Sequence, residues 1–132
     1  MTRFAATDPE GRRALVVDAL AAHRERASPY VTLTTDPDDA DREQGHGAPW
    51  VQFFETTMAL DCTDDELDRL KALAGEYPAI TVEDLVRPEE SEGTHARLSV
   101  RTDDERVAQF VDEAFQTVFD RPAGYRLWAV EV

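Results

Sequence analysis

The chain is short of cysteine, lysine, isoleucine and glycine, and it has no long apolar run. A single cysteine, Cys62, among 132 residues excludes an internal disulfide and any zinc site built from several thiolates. The 6 glycines form no phosphate-cradling loop and no G-x-S-x-G elbow. The purest early apolar run, Ala14 to Val17, stops at Asp18, so neither a secretory leader nor a membrane span is expected. A cytoplasmic protein without a membrane partner follows as the expectation. Of the 14 cationic side chains only Lys71 is a lysine, and Ile80 is the one isoleucine.

Against those 14 cations stand 28 carboxylates, for a net charge of −14. Such a surface repels itself in dilute buffer, but at about 1 M salt the Debye length falls to roughly 3 Å and the repulsion is mostly screened. Acid in excess with arginine replacing lysine therefore points to a salt-rich cytoplasm. The segments Ala14-Leu15-Val16-Val17-Asp18, Ala48-Pro49-Trp50-Val51-Gln52-Phe53, Leu60-Asp61-Cys62-Thr63 and Tyr125-Arg126-Leu127-Trp128-Ala129-Val130 carry a resemblance over most of the chain. In them and in composition, the chain resembles a small uncharacterised protein family of halophilic archaea, a domain of unknown function with no known activity. The resemblance implies a context and no chemistry.

Hydrophobic residues make up 42% of the chain and recur in periodic blocks, which argues for one packed domain over residues 1–132. Thr7 and Glu10 have capping-box spacing with Pro9 between them, so a helix is expected to about Ala27, with Leu15, Val16, Ala19, Leu20 and Ala22 inward. Arg12, Arg13, Arg24 and Arg26 are placed on its wet side. A strand is expected over 30–35 and a solvated acidic loop over 36–47, where the spacing fails the EF-hand pattern at Asp41 and Gly47. The first 47 residues thus supply an added helix, strand and acidic loop. Residues 48–132 read as strand (50–61), helix (from Thr63), strand (79–86), strand (94–101), helix (from Thr102) and strand (125–132). That order predicts an α+β fold, a ferredoxin-like split βαβ sandwich: an antiparallel sheet with helices on one face. The tetrad Thr-Asp-Asp-Glu recurs at 63 and 102, yet a shift of 39 sets Leu60 against Ser99 and puts the apolar phases in conflict.

Strand alternation locates the chemistry. If Ala96, Leu98 and Val100 face the helices, His95, Arg97 and Arg101 point away; on the last strand Arg126 and Trp128 do, and on the long strand Phe53 and Glu55. Arginine forks hold carboxylates or phosphates in two-point contacts and stack on rings, so His95, Arg97, Arg101, Arg126, Trp128, Glu55 and Phe53 form a candidate face for an anionic ligand or a partner. The rival arrangement lays helix 7–27 over that face, turning Trp128 and Phe53 into core. The strand 94–101 carries no aromatic, and the net charge opposes phosphate, so nucleic acid is disfavoured. His23, His46 and His95 form no metal-ligand spacing, and neither a metal nor a cofactor is expected. Cys62 opens a helix but sits among Asp61, Asp64 and Asp65, which oppose a thiolate. The expected function is a non-catalytic binding or homodimeric assembly module. The alternatives are a small enzyme using His95 as acid–base group with the arginines as clamps, and, ranked lower, an RNA-binding domain.

Overall fold

The computed structural model describes residues 3–45, 47–89 and 93–130. The elements run β1 (Arg3–Ala6), α1 (Pro9–Arg26), β2 (Val31–Thr35), α2 (Asp39–Gln44), β3 (Trp50–Phe54), β4 (Thr57–Cys62), α3 (Asp64–Ala74), β5 (Ile80–Val86), β6 (Thr94–Val100), α4 (Asp104–Glu113) and β7 (Leu127–Val130). A π-helical turn, Ala114–Val118, continues α4. All seven strands join one antiparallel sheet in the order β1-β7-β2-β3-β4-β6-β5. The α+β class expected from sequence is therefore present, in a wider sheet. Because every pairing is antiparallel, β1 and β2 run the same way on either side of β7, and β4 and β5 do so on either side of β6. Each same-direction pair needs a helical crossover, supplied by α1 and α3.

One apolar core lies between the sheet and the helices. It joins Val16 and Leu20 of α1, Leu67, Leu70 and Leu73 of α3 and Phe110, Val111 and Phe115 of α4 and its extension to Leu33, Phe53, Met58, Leu60, Leu98 and Leu127 of the strands. α1 and α4 pack on each other on the same side of the sheet. Helix 7–27 thus joins the other helices and leaves the opposite sheet face uncovered among the described residues.

Several sequence expectations change. The N-cap of α1 is Asp8, whose carboxylate accepts from the Gly11 N–H at 2.9 Å, so Thr7 belongs to the connection from β1. Arg12 is fully buried, correcting its placement on the wet side. The segment 36–47 holds α2, closed by a reciprocal Asp38–Asp41 capping box and by Gly45 at φ 72°, where glycine tolerates the left-handed region. His46 lies outside the described residues.

The run 50–61 is a hairpin. Phe54 pairs with Thr57 across the turn residues Glu55 and Thr56, with Glu55 at φ 57°. A two-residue turn places Phe54 and Thr57 on one face, so the alternation shifts by one and Phe53, not Phe54, faces the helices. Phe53 is core, correcting its outward assignment. The tetrads also differ: Thr63 caps α3 with Glu66 in a complete capping box, whereas Asp103, not Thr102, caps α4. The offset between equivalent caps is consequently 40 residues, which sets Leu60 against Val100, both buried on the helix side. β7 begins at Leu127, two residues later than expected.

Candidate functional site

Register determines what the uncovered face displays. Directly paired residues of an antiparallel sheet share a face, so three cross-strand rows follow from the pairings. The first runs Trp128, Thr34, Trp50, then across the extended β3–β4 register to Asp61, His95 and Val86. The second runs Val130, Thr32, Gln52, Ala59, Arg97 and Asp84. The third holds Phe54, Thr57, Ser99 and Thr81. Local contacts brace the face: within the second row the Gln52 amide donates to Thr32 Oγ1 at 3.3 Å, and between the second and third rows the Arg97 guanidinium lies 5.9 Å from the Phe54 ring centre.

The expected site residues divide into two groups. His95 and Arg97 stand on β6, and Asp61 Oδ1 meets His95 Nδ1 at 2.8 Å, with the Trp50 ring 6.4 Å from the imidazole. Trp128 stands on the same face but on β7, four strand spacings away, about 19 Å. There its indole N–H donates to Asp36 at 2.9 Å and the Arg126 guanidinium sits 5.4 Å from its ring centre. Arg101 lies beyond the end of β6, about 13 Å along the strand from Arg97. Glu55 occupies the β3–β4 turn. The insertion of β2 and β3 between β7 and β4 is what spreads the arginines, so they do not converge on one anion.

The family of unknown function DUF7975 matches residues 1–132. The chain belongs to that family. No curated protein and no solved structure matches it.

Sequence reasoning missed Trp50, Gln52 and Phe54 on this face because it ran one strand through Glu55 and Thr56; a turn placed there would have recovered all three. Asp61 is in phase with the outward set and went unnoticed because its partner His95 lies on another strand. It also missed Arg121, a nearly buried side chain in the α4–β7 connection that pairs with Asp38 and Asp41. That pairing fastens α2 to the end of the sheet, and backbone and charge contacts from Asp41 and Arg121 hold the Asp38 carboxyl below its usual range.

Cys62 is inert. Burial, then the charges of Glu66 and Asp61, push its thiol up to about 12. An unfolded thiol ionises near 9.0, so the folded form keeps its proton longer. The linked stability is complete below that pH and is lost as pH rises toward the folded value. Alkylation by iodoacetamide at pH 8 is expected to be slower in the folded chain than in urea by at least about 100-fold. Denaturation at pH 8 and pH 10.5 should show a smaller alkaline loss for Cys62→Ala than for the wild type; equal losses would remove the thiol from the account.

Proposed function

We propose that this chain is a non-catalytic assembly module in which two copies pair through the uncovered sheet face. One observation carries the reading: the charge of that face. The chain holds 28 carboxylates against 14 cations. Yet from β7 to β5 the three rows contain only Asp61, Asp84 and Arg97 as fully charged groups, with His95 bonded to Asp61; Asp36 and Arg126 at Trp128 and Arg3 at the register position beside Val130 bring the face to three acids against three arginines. The remainder are threonine, serine, glutamine, alanine, valine and aromatic side chains. Two like-charged proteins approach best where neither presents net charge, and half-buried aromatics beside short polar groups suit the centre of such an interface. Gln52, mid-strand on the central strand β3, lies near the middle of the face.

The setting we infer is a salt-rich cytoplasm, supported by the arginine-for-lysine bias and the carboxylate excess. The chain order β4-α3-β5-β6-α4-β7 supports a ferredoxin-like unit over 57–130, opened between its first and last strands by β2 and β3. The N-terminal helix and strand then complete one folding unit with it, sharing its core.

Sedimentation equilibrium in about 1 M KCl, where surface repulsion is screened, tests the pairing. Twice the 14.8 kDa chain mass is expected. The double variant Thr32→Glu, Gln52→Glu puts two like charges into the centre of the face and should weaken association at least about 100-fold while leaving the melting temperature of the monomer within a few degrees. A wild-type chain that stays monomeric at about 100 μM would overturn the proposal.

A further inference from the structure

At the end of the sheet where β3 starts and β4 stops, a cavity of about 420 Å³ lies between the α2–β3 connection, the first turn of α3 and the start of β6. Trp50 and Phe119 give it aromatic wall, and Asp61, Glu66, Thr94 and His95 give it polar wall. The cationic groups around it are already engaged. Arg121 divides its guanidinium between Asp38 and Asp41, and His95 meets Asp61 through Nδ1. What remains is acceptor capacity. Asp61 and Glu66 each use one oxygen, on His95 and on the Thr63 N–H, leaving the other without a hydrogen bond among the described residues. The Thr94 hydroxyl is buried, 3% exposed, and has no partner among the described residues.

An unpartnered buried hydroxyl costs stability unless something else satisfies it. Asp41, Asp61 and Glu66 outnumber Arg121 on the cavity wall, so a bound group carrying positive charge is favoured and an anion repelled. The face of an indole attracts a cation further. We infer that this cavity binds a small organic cation, an amine or guanidinium group on a compact apolar body. The charged head meets Asp61 and Glu66 beside the Trp50 ring, with the Thr94 hydroxyl as a further acceptor across the strand ends, and the apolar part lies against Phe119. This site goes beyond the assembly reading and does not depend on it, since every residue it uses comes from one copy.

The probes are choline and agmatine, with 3,3-dimethylbutan-1-ol as the uncharged counterpart of choline. Binding is followed by tryptophan emission in a Trp128→Phe background, so that Trp50 is the remaining reporter, and by calorimetry on the wild-type chain. At least one cation should saturate below about 10 mM and bind at least about tenfold more tightly than the alcohol. Asp61→Asn should weaken that cation at least about fivefold, and Thr94→Val should weaken agmatine, with melting temperatures recorded to show that each variant is folded. Failure of both cations to saturate, equal binding of choline and the alcohol, or unchanged affinity in folded Asp61→Asn would each overturn the inference. Monomeric protein that binds the cation would count against assembly alone.

Discussion

Replacing Arg12 with methionine is expected to lower the unfolding free energy by about 3–5 kcal/mol, the cost of stranding a buried charge. Arg12 lies on the inward stripe of α1 with Val16 and Leu20, and it is completely enclosed. Its Nε donates to Asp112 Oδ1 on α4 at 2.7 Å, and its Nη1 donates to the carbonyls of Thr7 at 2.6 Å and Tyr125 at 3.0 Å. The guanidinium stacks 4.2 Å from the Tyr125 ring centre, and the Tyr125 hydroxyl donates to the same Asp112 oxygen at 2.9 Å. Four segments meet there: the β1–α1 connection, α1, α4 and the approach to β7. Burial and the Asp112 charge push the Tyr125 phenol up, so it remains a donor.

Removing the guanidinium leaves the Asp112 carboxylate buried with only a phenol and the exposed Arg13, 3.9 Å away, to oppose it. The pairing of Arg12→Met with Asp112→Leu should recover at least half of the loss, because two apolar groups of similar volume leave no charge stranded. Urea denaturation of the two singles and the double measures the cycle. A loss below about 1 kcal/mol for Arg12→Met would mean that the cluster is not a structural lock.

The second large effect separates two neighbouring phenylalanines. Phe53→Ala is expected to cost about 3–5 kcal/mol, the usual range for emptying a core phenylalanine site. Phe54→Ala should cost about 1 kcal/mol or less in the monomer, since that ring lies half-buried on the uncovered face. Its effect should fall on association instead, by about tenfold or more. Phe53 is 1% exposed and packs in the same core as Leu33, Val51 and Met58. Denaturant midpoints for the two variants, read beside their sedimentation, show which ring belongs to the fold and which to the face. Equal destabilisation would place both in the core and deny the hairpin phase.

That pair also shows what the chain discloses before folding. The helices were legible where caps and apolar spacing agree: Thr63 and Glu66 cap α3 as their spacing predicts, and Leu67, Leu70 and Leu73 are buried as their period predicts. The inward sets Ala96, Leu98, Val100 and Leu127, Ala129 were legible from alternation. The hairpin was not, because Glu55-Thr56 lacks the Asn-Gly or Asp-Gly signature of a two-residue turn and the flanking residues alternate without a break. β1 escaped because four residues, Arg-Phe-Ala-Ala, carry too little pattern, and α2 because its six residues are almost all polar. Arg12 escaped because a buried cation is legible only when its carboxylate partner, 100 positions away, is known. Of the candidate face, His95, Arg97 and Trp128 were placed on the side where they stand, but their distance apart depends on strand order, which no local pattern in this chain encodes.

Disulfide trapping at Gln52 tests the central claim most directly. Gln52→Cys puts a thiol mid-strand on β3, near the point where a two-fold axis through the face would bring two copies together. The native Cys62 is buried and resists ionisation, so it does not compete. Asp68→Cys, on the solvent side of α3, serves as the control. Mild oxidation of dilute protein should convert most of the Gln52→Cys chains to a covalent dimer within minutes and leave Asp68→Cys largely monomeric. Equal, slow cross-linking of the two variants would contradict pairing through the uncovered sheet face.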